Sequence, residues 1–246
     1  MSMKTKVAIV TDSSCDLPKE IVEKYNLHII PIRVISSQGE FRDGIDITPD
    51  QLYQLMEKEI PKTSLPLPEE IHQLYASLYD QEYTHILHFS ISSKLSGTYN
   101  VSRLVAQEFE DENNIEIHVI DTLTLSAALG LIVIQAAELL ASGVEVEQVI
   151  QQTTLTRKNQ LGCLIVKTLE YLRKGGRIGL VEGVVGNLLR IRPVIYVNID
   201  GVFETMAKAR GYLNALDVMI REVVDRFSNK KIHLAVVHGA AFEEAA

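Results

Sequence analysis

Short runs of Val and Ile alternating with stretches of helical periodicity constrain this chain more than anything else in it. Val7 to Val10 is followed by Lys19 to Tyr25, His28 to Ile35 by Pro49 to Glu59, His85 to Phe89 by Tyr99 to Glu112, and Ile115 to Ile120 by Thr124 to Ser142. A strand buried on both faces reads as an unbroken apolar run, and repeated strand-then-helix order predicts a parallel sheet covered by helices. The helix ends carry their own signals. Thr48, Pro49 and Gln51 form a capping-box start, and Gly143 stands where a helix ending at Ser142 wants a left-handed stop.

The alternation weakens after the polar helical stretch Glu145 to Asn159. Leu161 to Val166 then reads as a strand, followed by KTLEYLRKGGRIG without clean periodicity. Further on, Arg192 to Ile199 and Val202 to Lys208 flank Asp200-Gly201, a signal for a two-residue hairpin turn and hence for antiparallel pairing. An amphipathic helix over Tyr212 to Phe227 and a strand over Ile232 to Val237 complete the pattern. The expectation is a two-domain α/β protein: an N-terminal parallel-sheet domain over 1–153, and a smaller α/β domain with antiparallel pairing over 154–246. The last residues, from His238, fall just after a strand and inside the first turn of a helix, which predicts either a shortened chain or a very short final helix.

Composition removes several classes of function. Of 246 residues, 46% are apolar and 23% charged, as in globular proteins, which argues against disorder. The formal charge of −8 has the wrong sign for a protein that neutralises nucleic-acid phosphates, so no nucleic acid partner is expected. The two cysteines, Cys15 and Cys163, lie far apart without CxxC spacing; this excludes a disulfide framework or a thiolate zinc site and points to a reducing, cytoplasmic setting. The first apolar run is too short for a signal-peptide core. Ala127 to Ala141, the longest apolar stretch, falls short of the roughly 20 residues that cross a bilayer, so no transmembrane segment is expected.

Familiar catalytic signatures are absent: no GxxxxGK[ST], GxGxxG, GxSxG or HExxH occurs. His85 and His88 are three apart in a strand and so face opposite sides, and no metal site is expected. What does recur is a hydroxyl cluster beside a strand end: Thr11, Ser13 and Ser14; Thr63 and Ser64; Ser92, Ser93, Ser96 and Thr98. Loops at the carboxyl ends of parallel strands share one crevice, where helix amino termini offer free amides to an anion. Helix caps and Ser/Thr turns favour the same residues in the same places, so both readings stand. Asp12 and Asp121, also at strand ends, could be catalytic or could hold neighbouring loops. KGGRIG, with Lys174 and Arg177, suits an anion or an ordinary basic turn.

Five segments in order, VTDSSCDLP, KTSLPLP (Lys62 to Pro68), SSKLSGTY (Ser92 to Tyr99), KGGRIG (Lys174 to Gly179) and LRIRPV (Leu189 to Val194), resemble the DegV family. The resemblance implies a protein without catalytic residues or cofactor of its own. It would enclose one long-chain fatty acid in a buried tunnel between its domains and present the carboxylate to a separate ATP-using fatty acid kinase subunit, which makes an acyl phosphate for phospholipid synthesis. Carried over by position, Thr63 and Ser96 match the carboxylate-binding hydroxyls, with Ser64, Gly97 and Thr98 as weaker matches; Arg177 and Arg210 match basic positions tied to the partner or the incoming phosphoryl group. The family's histidine in a glycine-rich segment near its carboxyl terminus has no counterpart here, and His238 does not match it. Leu65 and Leu67 stand where many relatives carry polar residues, and are expected at the tunnel mouth or packed against the second domain. Rival readings are a small phosphotransferase or hydrolase built on Asp12, Asp121 and the serine loops, and a sensor of a polar metabolite in the same crevice.

Overall fold

The computed structural model describes residues 5–181 and 191–245. The chain runs β1 (Val7–Asp12), a 3-10 turn (Ser13–Cys15), α1 (Lys19–Lys24), β2 (Leu27–Ile30), β3 (Arg33–Ser36), β4 (Gly39–Arg42) and α2 (Pro49–Met56). Next come β5 (Lys62–Ser64), α3 (Pro68–Asp80), β6 (His85–Ser90), α4 (Thr98–Glu112), β7 (Glu116–Asp121), α5 (Ser126–Ala141) and α6 (Val146–Asn159). The remaining elements are β8 (Cys163–Leu164), α7 (Glu170–Lys174), β9 (Ile191–Val197), β10 (Phe203–Arg210), α8 (Tyr212–Phe227) and α9 (Phe242–Ala245).

The main sheet has the order β2-β1-β6-β7, all parallel. Alternate residues supply its two faces. Ala8, Val10 and Ile86 pack with Tyr75, Leu78 and Phe109 of α3 and α4, whereas Ile9, Leu87 and Phe89 pack with Leu129, Ile132 and Val149 of α5 and α6. Both faces are thus apolar, which is why β1 and β6 read as unbroken runs. The capping box of α2 is present, with Thr48 N donating to Gln51 Oε1 at 2.8 Å and Gln51 N to Thr48 Oγ1 at 3.3 Å.

Four expectations need correction. His28 to Ile35 is two strands: Pro31, which has no N–H to donate, falls in the break, and β3 leaves the main sheet to form a small antiparallel sheet in the order β4-β3-β5 over α2. Leu161 to Val166 contributes only Cys163 and Leu164, which pair with β9. The β9–β10 turn has three residues instead of two. Gly201 N donates to Asn198 O at 3.0 Å, Asn198 N donates to Val202 O at 3.0 Å, and Gly201 takes the left-handed conformation (φ 82°) that such a bulged turn needs. Ile232 to Val237 forms no strand among the described residues; Leu234 and Val236 are 69% and 65% exposed. Its alternation marks a segment able to pair, and pairing also needs a neighbouring backbone with free groups. Helix α8 covers the expected Tyr212 to Phe227, and α6 runs unbroken through Thr154 to Asn159. The result is an α/β fold that has, among the described residues, one parallel sheet and two separate antiparallel sheets.

Candidate functional site

In the order β2-β1-β6-β7 the chain winds outward in both directions from β1 and β6, and a crevice opens between the carboxyl ends of those two strands. Asp12 sits in it, fully buried. Its carboxylate accepts from Ile91 N at 2.8 Å, Ser14 N at 3.2 Å, Ser90 Oγ at 3.3 Å and also from Ser14 Oγ. Burial pushes its pKa up, and those hydrogen bonds oppose the rise. Asp121 Oδ1 accepts from Ser93 N at 3.1 Å and Leu123 N at 3.0 Å. Both carboxylates hold the loops after β1, β6 and β7, the second of the two roles open to them.

The loop after β6, Ile91 to Gly97, is the hub. Ser92 N donates to Thr124 O at 2.8 Å, and the buried Ser92 hydroxyl donates to Gly201 O at 2.7 Å, bringing the tip of the β9–β10 hairpin onto the parallel-sheet unit. Gly201 permits this: a Cβ there would stand 3.1 Å from Leu123 Cα. Ser96 and Gly97 follow, immediately ahead of α4. Ser96 is half-buried; its hydroxyl shares a 2.8 Å hydrogen bond with Thr98 Oγ1 and accepts from Thr98 N at 3.3 Å. The first amides of a helix have no partner within it, so this turn presents donors and the positive end of a 15-residue helix.

Thr63 and Ser64 lie on the exposed strand β5, opposite Val34 and Arg33 of β3 respectively. Paired residues share a face, so the Thr63 side chain is on the Val34 side and that of Ser64 on the other. Just beyond, Leu65 lies over Gly97, where an added Cβ would be 3.2 and 3.3 Å from the two Leu65 methyls. The KTSLP limb and the Ser96 turn therefore meet. Leu65 packs here within the parallel-sheet unit, 39% exposed, and Leu67 is 45% exposed.

Arg177 joins the same place from the other half of the chain. Its Nε donates to Leu95 O at 3.0 Å and its Nη1 to Gly175 O. The nearby carboxylate of Glu170 is paired with Lys174 at 2.7 Å; Glu182 lies outside the described residues, as do Leu189 and Arg190 of LRIRPV. Arg210 closes β10 opposite Ile191 and is exposed, its carbonyl accepting from Asn214 Nδ2 at 2.7 Å. The structure thus brings Ser96, Gly97, Thr98 and the Leu95-bound Arg177 to one turn ahead of α4, places Leu65, two residues after Thr63, on Gly97 of that turn, sets the Thr63 and Ser64 side chains on opposite faces of β5, and leaves Arg210 on the strand end.

Beneath the hub, Ile91 and Leu95 pack with Ile178, Ile195, Val197 and Phe203 in a closed apolar cluster joining the two halves. A cavity of about 360 Å³ lies beside the edge strand β7, lined by residues such as Arg103, Glu110 and His118. Another of about 170 Å³ is lined by residues including Leu123, Ile132 and Arg157. Thr63 and Ser96 line neither. Among the described residues no group of three or more His, Cys, Asp or Glu could hold a metal, and no helix is long and apolar enough to cross a membrane.

Sequence reasoning did not find the Leu95 carbonyl, which anchors Arg177, or the closure of Ser92 on Gly201. The Gly in a hairpin turn was the available signal for the second; the first joins residues 82 apart and leaves no local trace. The family model described as an uncharacterised DegV protein matches residues 6–246. The chain belongs to the DegV family. A DegV domain-containing protein of Clostridium perfringens is 39% identical over 240 residues, covering 98% of this chain and 84% of the relative. The fatty acid binding DegV family protein of Streptococcus agalactiae superposes with a TM-score of 0.89 at 28% identity, covering 98% of this chain and 85% of that one. The fatty acid kinase B3 protein of Streptococcus pneumoniae, solved loaded with linoleic acid, gives a TM-score of 0.77 at 26% identity over 91% of this chain and 79% of its own. DegV relatives with this fold bind fatty acids, as their solved structures are described.

Proposed function

We propose that this DegV chain is a cytoplasmic, non-catalytic carrier. It binds one long-chain fatty acid in a buried tunnel between two domains, 1–153 and 154–246, and presents the carboxylate to a separate ATP-dependent kinase subunit. That subunit transfers the terminal phosphoryl group of ATP to a carboxylate oxygen, releasing ADP and leaving an acyl phosphate. The observation that carries the reading is the meeting of the Thr63 limb, the Ser96-Gly97-Thr98 turn at the start of α4, and Arg177 on the Leu95 carbonyl. A carboxylate at that turn gains hydrogen bonds from hydroxyls and amides together with the helix dipole. Arg177 and Arg210 would serve the kinase or the incoming phosphoryl group.

The tail supplies most of the affinity. About 14 methylenes at roughly 0.8 kcal/mol each amount to about 11 kcal/mol before ordering costs. The apolar layer next to the turn is the cluster of Ile91, Leu95, Ile178, Ile195, Val197 and Phe203, so the chain would enter by parting the two halves there. The test is mass spectrometry of what the denatured protein releases, followed by titration of the stripped protein with oleate. A co-purifying long-chain fatty acid and saturable oleate uptake are expected. A polar metabolite in place of the lipid, with no oleate uptake, overturns the carrier reading in favour of a sensor.

A further inference from the structure

We infer that Arg33 is a positioning residue for the fatty-acid carboxylate site, acting through an ion pair with Glu70 that clamps both ends of the loop between β5 and α3; this rests on the carrier reading above. Arg33 lies directly opposite Ser64 in the β3–β5 ladder, and its Nη2 reaches Glu70 Oε1 at 2.6 Å. Glu70 is the third residue of α3, so backbone pairing at one end and an ion pair at the other close a ring around Leu65, Pro66 and Leu67. Pro66 is buried within that ring, and Pro68 opens α3. Leu65 is the residue that rests on Gly97, so the ring sets how the Thr63 limb sits against the Ser96 turn.

The pair is only 12% and 22% exposed, and Arg33 Nε and Glu70 Oε2 are buried without another partner among the described residues. Removing either member therefore strands a largely dehydrated charge on the other. The second contact of Arg33, to Glu40 at 3.6 Å with Glu40 49% exposed, is long and open to solvent. Ladder geometry puts the Arg33 side chain on the face away from Thr63, so it acts by holding the loop and not by touching the ligand.

Three single variants and one double variant decide the matter: Glu70→Gln, Arg33→Met, Glu40→Gln, and Arg33→Glu combined with Glu70→Arg. Each is followed by hydrogen exchange of the ligand-free protein, by oleate titration and by thermal unfolding. Glu70→Gln and Arg33→Met should speed exchange at the amides of residues 70 and 71, which donate to Leu67 O at 3.0 and 3.3 Å, and weaken oleate binding about tenfold, a loss of roughly 1.4 kcal/mol. Glu40→Gln should leave both unchanged, and the reversed pair should recover most of the affinity. Unchanged exchange at residues 70 and 71 in Glu70→Gln overturns the clamp, as does oleate affinity equal to wild type in that variant. If Arg33→Met fails to fold, Glu70→Gln and the reversed pair carry the decision. If the wild-type protein itself takes up no oleate, the carrier reading falls, and the exchange measurement still decides whether the ion pair holds the loop.

Discussion

Gly201→Ala should be among the most damaging single-methyl additions to this protein. Two effects combine at this position. Gly201 has φ 82°, where an L side chain adds strain of about 1 kcal/mol. The added Cβ would also overlap Ser92 Oγ and stand 3.1 Å from both Cα and Cδ2 of Leu123. Neither neighbour can retreat easily: Ser92 is fully buried, and Leu123 is itself in the left-handed region at φ 51°. Overpacking of this kind costs about 1 to 3 kcal/mol, and displacing Ser92 from Gly201 O loses a buried hydrogen bond contributing about 1 kcal/mol. The expected loss is about 3 to 5 kcal/mol, which in a chain of this size lowers the thermal midpoint by roughly 10 °C. Gly143→Ala is the matched control, because Gly143 has φ 80° and nothing within 4 Å of an added Cβ. It should cost only the strain, about 1 kcal/mol or roughly 2 to 4 °C. Thermal unfolding by circular dichroism measures both. Equal midpoints for the two variants would refute the argument that close approach to Ser92 and Leu123, and not the turn conformation alone, fixes the glycine.

Ser96→Ala should weaken oleate binding by about 1.5 to 3 kcal/mol if its hydroxyl meets the carboxylate, while lowering stability by less than about 1 kcal/mol; a variant that loses stability and keeps its affinity makes Ser96 a turn residue only. Arg177→Ala should retain its fatty acid but slow acyl phosphate formation when the kinase subunit and ATP are supplied, and a wild-type transfer rate confines Arg177 to bracing Leu95. His88, buried with Nδ1 2.7 Å from the Tyr75 hydroxyl, has its pKa pushed down to about 3 by burial. The unfolded chain takes up that proton below about 6.5 and the folded one does not, so His88 makes stability fall as pH drops from 6.5 toward 3. His88→Leu should reduce that slope by up to about 1.4 kcal/mol per pH unit, read from urea midpoints at pH 7 and pH 5; an unchanged slope shows that His88 is not the group responsible.

The main sheet was legible because burial on both faces writes itself into consecutive residues, as in Val7 to Val10 and His85 to Phe89. The small sheet was not. Its strands β4 and β5 are short and largely exposed, so they lack the apolar signature, and only Pro31 hinted that His28 to Ile35 is broken. Ile232 to Val237 shows the opposite failure, a strong local pattern whose pairing depends on another segment. At the site, the hydroxyls could be named from their motifs, but their assembly could not. The contact of Leu65 with Gly97 and the bond from Arg177 to Leu95 are set by how distant loops stack, and a hydroxyl near a helix start looks the same in sequence whether it caps the helix or awaits a ligand.

The loop Ile91 to Gly97 is fastened from the sheet side by Asp12 and Asp121 and from the opposite half by Gly201 and Arg177. Leu95, whose carbonyl holds the guanidinium, is bonded in sequence to Ser96, so no force can reach one without the other. Such a loop behaves as a lever shared by two hands. In the carrier proposed above, a partner that draws Arg177 away from Leu95 also pulls on the loop that holds Ser96, and so can alter how tightly the turn holds its ligand without releasing it. Thermodynamic linkage then requires the ligand to change the affinity of that protein by the same factor. A filled carrier and an empty one would therefore present distinguishable surfaces to whatever docks there, and the docking partner could tell cargo from none without touching the acyl chain.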